Sequence, residues 1–231
     1  MASILSFKDV SKRYRRGQKE VAVLDHFGLE IAEKEFVAIM GPSGSGKTTL
    51  LNLIGGLDRS STGQLTVAGE RLDRMSGVDL AHWRARHIGF VFQLYNLMPT
   101  ISAERNVELP LLLTLLSSRE RMVKVAAALE LVGLLDRGKH KPGELSGGQQ
   151  QRVAIARAII ADPTILVCDE PTGDLDRHSA GEILALLTTL NRDYGKTIVM
   201  VTHDPKAAEF ASRQLYIDKG QLVDGSASAA A

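Results

Sequence analysis

Apolar and polar positions change their period along the chain. At the start, Ile4, Ser6 and Lys8 alternate with Leu5, Phe7 and Asp9, the two-residue period of a strand. A polar, basic stretch from Lys12 to Lys19 precedes an apolar run from Val21 to Leu24. Leu29 to Ile31 and Phe36 to Met40 are further short runs set apart by charges, and the second leads into a glycine-rich loop, Gly41 to Gly46. The period then changes: Leu50, Leu51, Leu53, Ile54 and Leu57 recur at helical spacing between Lys47 and Leu57, with Gly55 and Gly56 marking the end. Gln64 to Val67, between Gly63 and Gly69, predicts another strand.

From Ser76 to about Ala161 the pattern is mostly helical, with Ile88 to Phe92 as the exception. Val123 to Leu135 predicts one helix, ending near Gly138, and Ser146 to Ile160 another. The last third alternates: runs at Ile165 to Cys168, Ile198 to Val201 and Leu215 to Ile217, with helical segments at Ala180 to Leu190 and Lys206 to Arg213. Wholly apolar runs alternating with helices predict an α/β fold with a parallel sheet, into which the helical middle is inserted. The small-residue stretch Gly225 to Ala231 predicts a frayed tail.

Composition narrows the class only a little. The chain has 231 residues, 44% hydrophobic and 24% charged, which excludes a wholly disordered chain and a coiled-coil rod. The 28 basic and 27 acidic residues leave a net charge of +1, so no general basic excess points to nucleic acid. The basic run Lys12 to Lys19 reads as a solvated loop, and Trp83 beside Arg84 and Arg86 as packing and not base stacking. The single cysteine, Cys168, excludes an internal disulfide and lies in an apolar run, where a small core residue is expected. The longest charge-free stretch, Ile88 to Ala103, carries Gln93, Asn96, Pro99, Thr100 and Ser102 and is too short and polar to span a bilayer. Met1 to Asp9 has no basic segment leading into an apolar run, so no signal peptide is expected.

The chemistry is carried by motifs. Gly41, Pro42, Ser43, Gly44, Ser45, Gly46, Lys47 and Thr48 fit G-x-x-x-x-G-K-[ST] at every fixed position, after a predicted strand and before a predicted helix. Backbone N–H groups of such a loop curl round a phosphate, and the helix N-terminus adds partial positive charge. Lys47 is then placed for the β- and γ-phosphates and the Thr48 hydroxyl for Mg²⁺, with Thr49 following in the same nucleotide-binding turn. The apolar run Ile165 to Cys168 ends in Asp169 and Glu170. Carboxylates at the C-terminal end of a buried parallel strand stand where ligands bind, so Asp169 is a candidate for Mg²⁺ and Glu170 for the attacking water. Together these features predict a phosphate-loop nucleotide triphosphatase.

Leu145, Ser146, Gly147, Gly148 and Gln149, ahead of that acidic strand, form a second potential anion cradle: Ser146 can cap a helix whose first turn carries glycines. In this order and company the pentapeptide resembles the signature of ATP-binding-cassette (ABC) ATPases, and the resemblance runs from about Ser6 to Val223. It implies a RecA-like P-loop core with a mainly parallel sheet, an N-terminal antiparallel β subdomain and an inserted α-helical subdomain. The corresponding division is a single domain over 1–225, with core segments 1–93 and 162–225, a helical subdomain at about 94–161, and a flexible tail at 226–231. The resemblance implies ATP and Mg²⁺ as ligands and a head-to-tail dimer in which each signature closes on the partner's ATP. It assigns Tyr14 to adenine stacking, Gln93 to sensing Mg²⁺ and the attacking water, His203 to the γ-phosphate, and Asp176 to communication across the dimer. Asp174 departs from the Ala or Asn that the family often carries before Leu-Asp.

Gly55 to Asp58, Ile88 to Gln93, Asn96-Leu97, Asn106-Val107, Leu109 to Leu111 and Pro171 to Gly173 are similar to the branch containing macrolide-export, lipoprotein-release and cell-division-type ATPases. That implies a motor subunit, a homodimer with ATP in the branch's manner, on the cytoplasmic face of the inner or plasma membrane. It would drive a separate integral membrane permease or a force-transmitting partner, docked around Gln93 to Val107 through Leu94, Tyr95, Leu97 and Met98. A soluble ABC ATPase is the competing class; Thr49 to Glu144 lacks the sustained heptads of its DNA-maintenance members. A kinase or GTPase is disfavoured by Leu145 to Gln149. The cargo is not written in these residues.

Overall fold

The computed structural model describes residues 3–17 and 19–223, so the tail expected at 226–231 lies outside the described residues. In chain order the elements are β1 (Ser3–Arg16), β2 (Lys19–Ala32), β3 (Phe36–Met40), α1 (Lys47–Ile54), β4 (Thr62–Val67), β5 (Glu70–Arg71), α2 (Gly77–His87) and β6 (Ile88–Phe92). There follow α3 (Ala103–Glu108), α4 (Ser118–Leu131), α5 (Gly147–Ile159), β7 (Ile165–Asp169), α6 (Arg177–Arg192), β8 (Thr197–Val201), α7 (Pro205–Ala208), β9 (Arg213–Asp218) and β10 (Gln221–Val223). A four-stranded antiparallel sheet has the order β2-β1-β4-β5. A six-stranded sheet has the order β10-β9-β3-β8-β7-β6, parallel except for β10.

The apolar runs become the central strands because both faces of the larger sheet are covered. Every residue of β3 and β8 is buried. Alternate residues serve two cores. Phe36, Ala38, Leu166, Cys168, Ile198 and Met200 face α3 to α6, so the helical middle shares one core with the sheet. Val37, Ile39, Ile165, Val167, Val199 and Val201 face α1, α2 and the antiparallel sheet. Each such aliphatic side chain stabilises the fold by roughly 1.5–3 kcal/mol on burial. Trp83 is fully buried in the second core, as packing predicts, and Cys168 is fully buried in the first.

Three segments differ from the pattern-based expectation. The basic stretch after Lys12 is exposed at Arg13, Tyr14, Arg15 and Lys19 but is no loop: β1 continues through it, paired with β2 at Lys12↔Leu24 and Tyr14↔Val21. Its inward lysine is neutralised, because the Lys12 ammonium donates to Asp58 Oδ1 at 2.6 Å and to the Arg59 carbonyl at 2.8 Å. The helix expected over Lys206 to Arg213 covers only Pro205–Ala208, since Arg213 already pairs with Val37 in the sheet. The Ser212 hydroxyl fixes that change by bonding both backbone groups of Phe36, at 3.2 and 2.9 Å. Finally, α4 starts before Val123, at a capping box made by Ser117 and Glu120. Among the described residues, no helix is long and apolar enough to cross a membrane.

Register fixes where the chemistry lies. Phe92 pairs with Asp169, Asp169 with Val201, and Val201 with Ile39. The C-terminal ends of β6, β7, β8 and β3 are therefore level, and Gln93, Glu170, His203 and the Gly41 loop leave the sheet along one edge.

Candidate functional site

The loop after β3 is built to leave donors free. Gly41 has φ of +151° and its Cα lies so close to the sheet that a Cβ would stand 2.0 Å from the Ile217 carbonyl oxygen, so no larger residue fits. Beyond it, α1 is the one α-helix among the described residues whose N-terminus has no side-chain cap. Ser76, Ser102, Ser117, Ser146, Asp176 and Asp204 cap the others. The first-turn amides at Lys47 to Thr49 thus lack a side-chain acceptor, which an anion can supply. The Lys47 ammonium folds back onto the loop, donating to the carbonyls of Gly41 at 2.7 Å and Pro42 at 2.8 Å. Pro42, Ser43, Gly44 and Thr48 are exposed, whereas Ser45 and Gly46 are buried. Ser45 Oγ finds no protein partner among the described residues.

Next along the edge stand the acids. Burial pushes the Asp169 carboxyl above its usual range, Glu170 pushes it further, and the Lys47 ammonium pulls it down. Two adjacent carboxylates of this kind favour a nearby cation. Among the described residues, no three His, Cys, Asp or Glu side chains cluster as a metal site. The donors at hand are the Thr48 hydroxyl, the Gln93 amide and Asp169, a hard-oxygen set that leaves room for phosphate oxygens and water. That set fits Mg²⁺, which keeps several waters and takes few protein ligands. Glu170 has a left-handed backbone, φ +46°, unusual for a residue with a Cβ. Its N–H donates to the Val201 carbonyl at 3.0 Å, and its carboxylate stands 2.7 Å from His203 Nδ1. The structure therefore joins the two residues that the sequence reading selected from β7 and from the end of β8. The His203 side chain is 68% exposed and the Glu170 side chain 25%, so both reach solvent on the nucleotide edge.

Gln93 leaves β6 beside them and donates its amide to Asp174 Oδ1 at 3.0 Å. The turn that follows is strained, with φ of +58° at Tyr95 and +50° at Asn96. Arg157 of α5 holds it by donating to the Tyr95 carbonyl at 2.7 Å and the Asn96 carbonyl at 2.5 Å. Burial lowers the pKa of that guanidinium from its ordinary value. Gln151, fully buried on α5, donates to the carbonyls of Phe92 at 3.3 Å and Pro171 at 2.5 Å, tying the ends of β6 and β7 to one helix. Neither Gln151 nor Arg157 was selected from the sequence. A polar side chain on the apolar face, one turn from Ile155, is the trace that Gln151 leaves there.

The same helix begins with the signature. Leu145 is buried and Ser146 exposed, and Ser146 and Gln149 form a reciprocal capping box, at 3.3 and 3.0 Å. A Cβ at Gly147 would stand 2.9 Å from the Tyr95 hydroxyl, and one at Gly148 would stand 3.1 Å from Ser179. The signature thus packs against the loop after Gln93 and the start of α6. Asp176 caps α6: Oδ1 accepts from the His178 and Ser179 amides at 2.9 and 3.1 Å, and Oδ2 from the Ser179 hydroxyl at 2.7 Å. Of the apolar docking candidates, Leu94 and Met98 are exposed, whereas Tyr95 and Leu97 are half-buried.

Tyr14 reaches the edge from the antiparallel sheet. Its hydroxyl donates to Asp58 Oδ2 at 2.6 Å, and the Lys12 ammonium lies 4.6 Å from its ring centroid. Burial and the Asp58 bond raise its pKa, and the Thr49 side chain of α1 nearby lowers it. Tyr14 is 38% exposed, leaving it accessible to a flat partner. Asp58 and Lys12 are further positioning groups that the sequence reading did not select. Burial drives the Cys168 thiol pKa far up, which leaves it unreactive, as expected of a core cysteine.

Comparison with known proteins gives one consistent result. The family model described as "ABC transporter" matches residues 24–173. The ABC transporter ATP-binding protein YvrO of Bacillus subtilis is 49% identical, over 95% of this chain and 96% of its own. The lipoprotein-releasing system ATP-binding protein LolD of Chromohalobacter salexigens is 46% identical, over 96% of this chain and 93% of its own. The macrolide export ATP-binding/permease protein MacB of Hyphomonas neptunium is 45% identical over 96% of this chain, which matches 34% of that longer protein. Among solved structures, the dimeric ATP-binding cassette MJ0796 in a post-hydrolysis state with ADP and Pi superposes with a TM-score of 0.87. It is 42% identical and covers 95% of this chain and 97% of its own.

Proposed function

The chain belongs to the ABC transporter family as an ATP-binding, ATP-hydrolysing subunit, and from that premise we propose that it is the motor of a two-cassette machine that drives a separate membrane partner. The carrying observation is the uncapped N-terminus of α1 behind the Gly41 loop, level with the Glu170–His203 pair on one sheet edge.

The residues then have these tasks. The phosphates settle on the amides of Gly41 to Thr49, and Lys47 exchanges the Gly41 and Pro42 carbonyls for phosphate oxygens. Tyr14, held by Asp58, takes the base on its open face. Thr48, Gln93 and Asp169 would hold Mg²⁺, which would supply charge neutralisation at the β- and γ-phosphates. Glu170 orients the attacking water and accepts its proton, while His203 donates to the γ-phosphate. The first turn of α5, behind Ser146, offers its positive end to the γ-phosphate held by a second cassette. Two ATP are enclosed in this way, and hydrolysis reopens the pair.

The membrane partner is an integral permease or force-transmitting protein, which places the motor at the cytoplasmic face of the inner or plasma membrane. Two relatives support this reading: one is named for lipoprotein release, and another joins ATP-binding and permease functions in one chain. The segment at about 94–161 is the docking lever, and Leu94 and Met98 offer it exposed apolar surface. No nucleic acid is part of the cycle.

Glu170→Gln tests the chemistry and the assembly together. It should bind ATP normally, hydrolyse it on the order of 10²-fold more slowly, and run as a dimer on size exclusion with ATP. Near-normal turnover would refute the role of Glu170, and a monomer at saturating ATP would refute the sandwich. Purified from detergent-solubilised cells with ATP, the same variant should carry an integral membrane protein in stoichiometric amount; its absence would remove the transport assignment.

A further inference from the structure

Gln93 is placed by its partner as well as by its strand. The amide nitrogen donates to Asp174 Oδ1 at 3.0 Å. A carboxylate only accepts, so Asp174 can bind the Nε2 branch of the amide and never the Oε1 branch. The approach is made possible by Gly173: a Cβ there would stand 2.9 Å from Gln93 Nε2 and 3.1 Å from its Cδ, so the side chain lies across a bare Cα.

Both ends of the contact are anchored. The Gly173 amide donates to the Glu170 carbonyl at 3.0 Å and the Leu175 amide to the Thr172 carbonyl at 3.2 Å, which fixes the turn carrying Asp174. On the other side Gln151 and Arg157 hold the backbone on either side of Gln93. The Asp174 charge is felt at this turn, since it helps to raise the Tyr95 hydroxyl pKa, after burial. Water competes for an exposed hydrogen bond, so the contact adds little to stability. Its consequence is orientational, because it removes one of the two amide flips.

We propose that Asp174 is a positioning residue that locks the Gln93 amide with its nitrogen turned away, presenting Oε1 to the metal and the attacking water. This rests on the ATPase reading of the site. Asparagine, nearly the same size, would not substitute, since its own amide can pair with Gln93 in either sense.

The test uses full-length protein in the hydrolysis-blocked Glu170→Gln background. ATP affinity is measured in EDTA, and Mn²⁺ affinity in the presence of ATP by electron paramagnetic resonance. Asp174→Ala and Asp174→Asn should each leave ATP affinity in EDTA unchanged and weaken Mn²⁺ binding about threefold to tenfold, the effect of one hydrogen bond. With Gln93→Ala already present, Asp174→Ala should have no further effect. Unchanged Mn²⁺ affinity in Asp174→Asn overturns the proposal, as does a loss that persists without Gln93. A Glu170→Gln parent that binds neither ATP nor Mn²⁺ overturns the reading of the site, and with it the role of Asp174.

Discussion

Glu108 shows how much a single buried charge can matter here. Its side chain is 2% exposed, accepting from Arg121 Nε at 2.8 Å and Arg105 Nη1 at 2.6 Å. Arg121 holds the carboxyl below its ordinary range, burial works against it, and Arg105 adds to the lowering. A folded-state pKa that is depressed contributes stability above the ordinary glutamate value of about 4.3, which is lost as pH falls through the folded value. Glu108→Gln should therefore cost about 1–3 kcal/mol near pH 7. The gap from wild type should close as denaturation is repeated at successively lower pH below the ordinary glutamate range. A gap that stays constant with pH would mean that packing, not charge, is lost. The sequence conceals this residue because its partner Arg121 lies 13 positions away. Lys12 was misread for a related reason: its partner Asp58 lies 46 positions away. Lys47, Glu170 and Ser146 could be selected from the sequence because the motifs that carry them are local.

At the scale of elements, α5 is the brace of the site. It begins with the signature, carries Gln151 and Arg157 to the loops after β6 and β7, and packs against β6 so closely that only glycine fits opposite it. A Cβ at Gly89 would stand 2.4 Å from the Ala158 carbonyl oxygen and 2.7 Å from Leu166 Cδ2. The Ala158 contact is backbone, so rotating a side chain cannot relieve it. Gly89→Ala should lower stability by about 2 kcal/mol, a fall in Tm of roughly 4–8 °C for a domain of this size. It should also slow ATP hydrolysis, because lifting α5 displaces the donors that hold Gln93. A wild-type Tm would show that helix and strand separate freely, and full activity with a lowered Tm would deny α5 its bracing role. The central strands and long helices were legible because unbroken apolar runs and the 3.6-residue period are written locally. The contact between α5 and β6 was not, since Gly89 gives no sign in the sequence of what approaches it. The extension of β1 through basic residues was hidden for the same reason: pairing with β2 overrode a solvated pattern.

At the scale of the molecule, the proposed function gives one chain two half-sites, each open to solvent. The Gly41 loop carries exposed Pro42, Ser43 and Gly44, and α5 begins behind exposed Ser146. Whether the second half-site serves the first in the same chain or in a partner can be decided by mixing two defective proteins. Lys47→Ala removes the phosphate-loop cation, and Ser146→Arg blocks the signature with bulk and charge. Each homodimer then has both composite sites damaged and should be inactive. In a mixed head-to-tail dimer the Lys47→Ala loop faces the Ser146→Arg signature, so both lesions fall in one site. The other site receives an intact loop and an intact signature. Mixing should therefore restore hydrolysis above that of either variant alone, with activity greatest near equal proportions. If each signature instead served its own chain, every protomer would remain defective at every ratio. Native mass spectrometry of the same mixtures supplies the control: mixed dimers without recovered activity would place both half-sites in one chain and end the head-to-tail assignment.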